Sequence, residues 1–221
     1  MNKNIQIKIC GLTEVDKALA CVELGAHAIG LVFFPKSPRF VDDRLAREIS
    51  TAVSPQAKTV GVFVDETHAT VMRKIKKCRL GAAQLHGRES SAMVDRLSEG
   101  NILVIKALFE KREPSFIDEV KYGAGAFLLE CGRGEMPGGN AQVWNWETAG
   151  KTGSGRPIIL AGGLGPQNVA KAVKLARPDA VDVSSGVEAA PGVKDLRRVQ
   201  QFIEAVKKSS LDINYQPKKI F

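Results

Sequence analysis

Ile5-Gln6-Ile7-Lys8-Ile9-Cys10-Gly11-Leu12-Thr13-Glu14 is the stretch that decides how this chain folds. Ile5, Ile7 and Ile9 point to one side of an extended segment and Gln6, Lys8 and Cys10 to the other, which is the two-residue period of a strand. Gly11 ends the alternation, and Thr13-Glu14-Val15-Asp16 reads as a turn running into a capped helix. The polar side of the strand leads to Cys10 at its carboxyl edge, where parallel α/β folds bind ligands. A lone cysteine there reads first as a buried structural thiol. Its meaning depends on what the other strands bring to the same edge.

The rest of the chain repeats the unit. After the helix at 13–24, strand-like runs fall at 27–33, 58–64, 82–87, 102–108, 125–130, 157–161 and 180–186. Each is followed by a helical pattern, at 42–53, 67–77, 89–97, 116–121, 144–149, 166–175 and 193–207. Eight strand-then-helix units in 221 residues predict an α/β fold, a single-domain (β/α)8 TIM barrel over residues 1–209, with 210–221 as a polar, loosely held tail. An open doubly wound sheet is the competing arrangement. The polar residues decide between them: Lys8 on strand one, Gln84 on strand four and Asp182 on strand eight need an enclosed interior with partners. Closure makes strands one and eight neighbours, so Lys8 and Asp182 are expected to pair.

Composition narrows the function classes. The net charge is +8, but lysine and arginine are spread over helix faces instead of clustering, which predicts a solvated surface and no nucleic-acid partner. The surplus charge suits an anionic small molecule. No apolar run approaches the length of a membrane span and no leader precedes the first strand, so a cytoplasmic protein without membrane attachment is expected. Cys10, Cys21, Cys78 and Cys131 show no paired spacing, and with three scattered histidines they predict reduced thiols and no metal site. No organic cofactor is implied, and the chain reads as a monomer or a homodimer.

In barrels of this type a phosphate is often held by the loops after strands seven and eight. Ala161-Gly162-Gly163-Leu164 follows strand seven and Ser184-Ser185-Gly186 follows strand eight, so backbone amides there can approach an anion closely. Cys10 ends strand one and Glu130 ends strand six, on either side of that position. One candidate base and one candidate acid flanking a phosphorylated ligand suit proton shuttling in an isomerase. The connection 131–143, with Gly132, Gly134, Gly138 and Gly139, reads as a lid or a variable loop, and its glycines at the site edge favour the lid. His86 reads as a packed, hydrogen-bonding barrel residue, Cys21 and Cys78 as structural, and Trp144 and Trp146 as anchors of the sixth helix.

Five motifs in order, Lys8-Ile9-Cys10-Gly11-Leu12, Phe34 through Ser37-Pro38-Arg39, Gln84-Leu85-His86-Gly87, Leu160-Ala161-Gly162-Gly163-Leu164, and Val181 through Glu188 with Pro191-Gly192-Val193-Lys194-Asp195, resemble the signature set of phosphoribosylanthranilate isomerases. The resemblance spans residues 5 to about 205. It implies an Amadori rearrangement in tryptophan biosynthesis, with Cys10 as general base, Glu130 in the place of the acid, Arg39 on the anthranilate carboxylate, and Gly163, Ser185 and Gly186 on the phosphate. Asp182 and Lys8 would orient the site from behind. The family's pattern has Asp where this chain has Glu in Leu128-Leu129-Glu130. That departure keeps a second reading open, a barrel that binds a phosphorylated sugar without turning it over.

Overall fold

Eight parallel strands pair in sequence order and the eighth returns to the first. They are β1 (Gln6–Cys10), β2 (Ala28–Val32), β3 (Lys58–Phe63), β4 (Ala82–Leu85), β5 (Leu103–Phe109), β6 (Ala126–Glu130), β7 (Ile158–Leu160) and β8 (Ala180–Val183). The computed structural model describes residues 4–132, 143–151, 155–209 and 215–221. Closure rules out the open doubly wound sheet.

Each strand divides its residues between two cores. Ile5, Ile7 and Ile9 pack outward against the helices, in one cluster with Leu31, Val104 and Leu129. Ala28, Val60, Ile105, Ala126, Leu128 and Ile159 fill the cylinder. In β1 the inward positions are Lys8 and Cys10, as the alternation requires. The register sets Lys8 opposite Asp182 of β8, and Lys8 Nζ donates to Asp182 Oδ1 at 2.7 Å with the lysine fully buried. The pairing expected from closure is therefore made.

Helices α1 (Val15–Leu24), α2 (Asp43–Val53), α3 (His68–Cys78), α4 (Ser91–Glu99), α5 (Val169–Ala176) and α6 (Leu196–Lys208) wrap the outside. Asp42, Thr67, Ser90 and Asp195 each accept from a backbone amide of the first turn, satisfying donors that would otherwise have no partner. Glu14, at the start of α1, makes no such bond, so the capped start expected there is absent. The crossovers after β5 and β6 carry tight 3-10 turns at Phe116–Lys121 and Trp146–Lys151 in place of full helices. Six residues offer too few hydrogen bonds to offset the cost of nucleating an α-helix. After β8 the chain adds an antiparallel ribbon, β9 (Glu188–Ala190) with β10 (Val193–Lys194), which the helical pattern over 193–207 concealed.

The last residues correct the expectation of a loose tail. The amides of Ile220 and Phe221 donate to Gln6 Oε1 at 3.1 and 2.8 Å, and Gln6 Nε2 donates to the Lys218 carbonyl at 2.9 Å. The Lys218 amide donates to Asp179 at 2.6 Å, and the Tyr215 hydroxyl to the Arg177 carbonyl. Ile220 and Phe221 pack against the cluster inside the cylinder, so this segment covers the end of the barrel opposite Cys10. Residues 210–214 lie outside the described residues. Deleting 215–221 removes these five hydrogen bonds, worth about 0.5–1 kcal/mol each, which for a chain of this size lowers Tm by roughly 5–20 °C. Scanning calorimetry checks this, and an unchanged Tm would show that the segment contributes nothing.

Candidate active site

Cys10, Arg39, His86, Glu130, Gly163, Asp182, Ser185 and Gly186 line one open cleft at the carboxyl ends of the strands. Lys8 lies beneath it, in contact through Asp182. Eight of the nine residues singled out by the sequence thus share one space, with Lys8 below it.

Cys10 ends β1 with its sulfur directed at β2, where Gly30 leaves room for it. A Cβ at Gly30 would come within 2.6 Å of Sγ. Burial pushes the Cys10 thiol above its ordinary pKa, the Lys8 ammonium pulls it down, and the Asp182 carboxylate adds to the rise. The net direction is up, so the resting form at neutral pH is the thiol. Desolvation outweighs whatever help the start of α1 supplies. Lys8 shows the opposite outcome: burial disfavours its charge, but Asp182 and Cys10 more than compensate, and its pKa is raised.

Glu130 ends β6, across the mouth from Cys10 and separated from it by β7 and β8. It is only 7% exposed. His86 Nε2 lies 3.0 Å from Glu130 Oε2, but off the line of a hydrogen bond, while His86 Nδ1 sits 2.9 Å from Gln84 Nε2. His86 thus makes the kind of hydrogen bond expected of it, to Gln84, and also forms a site wall against the carboxyl. Behind it, Lys106 of β5 donates to the carbonyls of Leu85 and Gly87 and to Glu89 Oε2, at 3.3, 2.7 and 2.8 Å. That buried pair stiffens the loop carrying His86. Nothing in an apolar run such as Leu103–Phe109 marks Lys106 in advance beyond its being the lone charge.

The two phosphate-type loops meet face to face. A Cβ at Gly186 would fall 1.9 Å from the Leu164 carbonyl, so only glycine permits this approach. Among the described residues no hydrogen bond engages the amides of Gly163, Ser185 or Gly186, which leaves three donors at the rim of the cleft. Asn168, which the sequence reading passed over, shapes the first loop by donating to the Gly163 carbonyl and accepting from the Gly165 amide, both at 2.8 Å. Its position at the start of α5 was the available signal. Trp144 donates to the Ala161 carbonyl at 2.9 Å and braces the same loop. Cys21, Cys78 and Cys131 are buried in the outer core, away from this chemistry.

Arg39 reaches the rim from the loop after β2 and forms two bonds to Glu188, at 2.8 and 2.7 Å, with Lys194 on the same carboxylate at 2.6 Å. Burial alone would raise the Glu188 pKa, but these two cations hold it below the usual carboxylate value. Among the described residues no group of three or more candidate ligands could hold a metal ion. Gly134, Gly138 and Gly139 of the expected lid lie outside the described residues.

Comparison with known proteins agrees with this geometry. The family profile described as PRAI, N-(5'phosphoribosyl)anthranilate (PRA) isomerase, matches residues 7–205. The chain belongs to the phosphoribosylanthranilate isomerase family. It is 52% identical over 218 residues to the N-(5'-phosphoribosyl)anthranilate isomerase of Desulfatibacillum aliphaticivorans, covering 99% of each chain. It is 42% identical over 204 residues to that of Geobacter sulfurreducens, covering 92% of this chain and 98% of the relative. The Thermotoga maritima phosphoribosyl anthranilate isomerase superposes with a TM-score of 0.83 at 38% identity, covering 92% of this chain and 98% of the other. A family structure in complex with reduced 1-(o-carboxyphenylamino)-1-deoxyribulose 5-phosphate gives 0.81 at 37% identity, with the same coverage.

The raised Cys10 pKa has a direct readout. Alkylation of Cys10 by iodoacetamide, followed by peptide mass spectrometry, should keep accelerating through pH 9 as the thiolate fraction grows. A rate already constant below pH 8 would mean that the lysines, not burial, control the thiol.

Proposed function

We propose that this chain converts N-(5'-phosphoribosyl)anthranilate to 1-(2-carboxyphenylamino)-1-deoxyribulose 5-phosphate, an Amadori rearrangement of tryptophan biosynthesis, with residues 1–209 as the catalytic barrel. The observation that carries this reading is the single cleft lined at once by a thiol, a carboxyl, a guanidinium and unengaged loop amides. The amides of Gly163, Ser185 and Gly186 take the phosphate, fixing the ribose over the mouth. Arg39 takes the ring carboxylate at the other end.

Between these anchors the two proton-transfer groups face the sugar. The Glu130 carboxylic acid gives its proton to the furanose ring oxygen while the bond from that oxygen to C1′ breaks, and the nitrogen lone pair forms the Schiff base. Cys10 then takes the C2′ proton in its thiolate form, the minor species at neutral pH, to which Lys8 gives a counter-charge. The electron pair released moves through C2′–C1′ to the nitrogen, giving an enolamine. The Cys10 thiol then gives its proton to C1′ while the enol oxygen gives its proton to the Glu130 carboxylate, which completes the ketone and restores both groups, so the reaction is redox-neutral overall and consumes no co-substrate. Lys8 and Asp182 set the field under Cys10, and His86 holds the Glu130 side of the cleft. The longer Glu side chain meets His86 at 3.0 Å, which supports a carboxyl seated against the wall and not projecting across the mouth.

The enzyme reading covers the remaining expectations. No described helix is long and apolar enough to cross a membrane, consistent with the cytoplasmic location we propose for this biosynthetic step. A structure of monomers engineered from the dimeric Thermotoga maritima relative supports a homodimer or a monomer as the assembly here.

Turnover is followed by the fluorescence decay of freshly prepared phosphoribosylanthranilate. Cys10→Ala and Glu130→Ala should each lower kcat by about 10²–10⁴-fold, the usual worth of a positioned acid or base. Near-normal turnover by Glu130→Ala would move the acid to another residue. Decay at only the spontaneous rate with the unmodified protein would favour the non-catalytic binder.

A further inference from the structure

Arg39, Glu188 and Lys194 form a buried charged corner that the proton transfers do not use. Their exposures are 9%, 6% and 2%. Two cations and one anion leave one net positive charge, costly to bury unless every member is hydrogen-bonded. Glu188 accepts from Arg39 Nε, Arg39 Nη2 and Lys194 Nζ. Lys194 also donates to the Ser184 carbonyl at 3.2 Å, and Ser184 Oγ donates to the Cys10 carbonyl at 3.0 Å. The corner is thus tied to the ends of both β8 and β1.

The planar guanidinium shows what is left over. It presents two forks of parallel N–H bonds, one from Nε with Nη2 and one from Nη1 with Nη2. Glu188 fills the first. No hydrogen bond among the described residues engages Nη1, and Arg39 lines the cleft. The aliphatic stem is held from below, since a Cβ on Gly11 would lie 2.5 Å from Arg39 Cδ. A side chain pinned at its stem and along one edge has little freedom to turn its second fork away.

We propose that Glu188 is a positioning residue that locks Arg39 with its second fork reserved for a planar carboxylate. This deepens the reading of Arg39 as the ring-carboxylate contact and rests on it. Glu188 itself does not touch the substrate. A phosphosugar with a neutral aglycone has no group for the open fork, so it gains nothing from the arrangement.

A double-mutant cycle tests this by titration calorimetry with two probes, reduced 1-(o-carboxyphenylamino)-1-deoxyribulose 5-phosphate and ribose 5-phosphate. Glu188→Gln should weaken the carboxylate-bearing probe about 10-fold, the scale of one charge-assisted hydrogen bond. It should leave ribose 5-phosphate within about 2-fold and raise KM while kcat stays within about 3-fold. In an Arg39→Lys background, Glu188→Gln should cause no further loss. Glu188→Asp, which keeps the charge but withdraws the fork by one methylene, should show the same split between probes and serves if the glutamine variant does not fold. Equal weakening of both probes, or a Glu188→Gln loss that persists without Arg39, would overturn the proposal. If Arg39→Lys leaves the carboxylate-bearing probe unaffected, the reading of Arg39 fails. If Arg39→Lys weakens it and Glu188→Gln does not, the positioning role alone fails.

Discussion

The ion pair between Lys8 and Asp182 is the constraint on which the rest of the molecule depends. A lysine with no exposed surface is tolerable only with a partner at hydrogen-bond distance, and its partner sits 174 residues away on the last strand. The two meet because the eight strands close into a cylinder with β1 and β8 in register. Two residues farther along β1 stands Cys10, and two farther along the chain from Asp182 stands Ser184, which donates to the Cys10 carbonyl. The same closure that satisfies the charge therefore delivers the thiol and the candidate phosphate loop after β8 to one mouth.

The site is built by opposing burial against charge. Dry surroundings favour the neutral thiol of Cys10, while Lys8 beneath it limits that cost and gives the thiolate a nearby counter-charge. Close to the same strand ends, Glu188 would be an unfavourable buried anion without Arg39 and Lys194, and its ionised state follows from them. A substrate with a phosphate at one end and a carboxylate at the other meets unengaged amides and an open guanidinium fork. In the proposed reaction the reacting carbons are held between sulfur and carboxyl by anchors that take no part in bond making.

The barrel was legible because its signals are periodic and local. Alternation in residues 5–10, near-continuous apolar strands and a side-chain cap before most helices each report on a few neighbouring residues. The glycine loops stood out for a related reason: either alone would read as an ordinary turn, but two fall directly after consecutive strands. What stayed hidden depends on contacts distant in sequence. The final segment is polar and without period, yet it is held by backbone bonds to Gln6 and Asp179, more than 35 residues away in every case. The β9–β10 ribbon is too short to show alternation, and Lys194 looked like part of a helix start. Lys106 and Glu89 pair only because β4 and β5 are adjacent. Glu188 was visible inside a motif, but its role is set by Arg39, 149 residues earlier.

One structure would test the central claim most directly: this protein with reduced 1-(o-carboxyphenylamino)-1-deoxyribulose 5-phosphate bound. The account requires the phosphate on the amides of Gly163, Ser185 and Gly186, the ring carboxylate on Arg39, and Cys10 Sγ within about 3.5 Å of the C2 carbon, with a Glu130 oxygen near the O4 hydroxyl. A ligand whose C2 lies beyond the reach of Cys10, or whose sugar hydroxyls meet some other acid than Glu130, would contradict it.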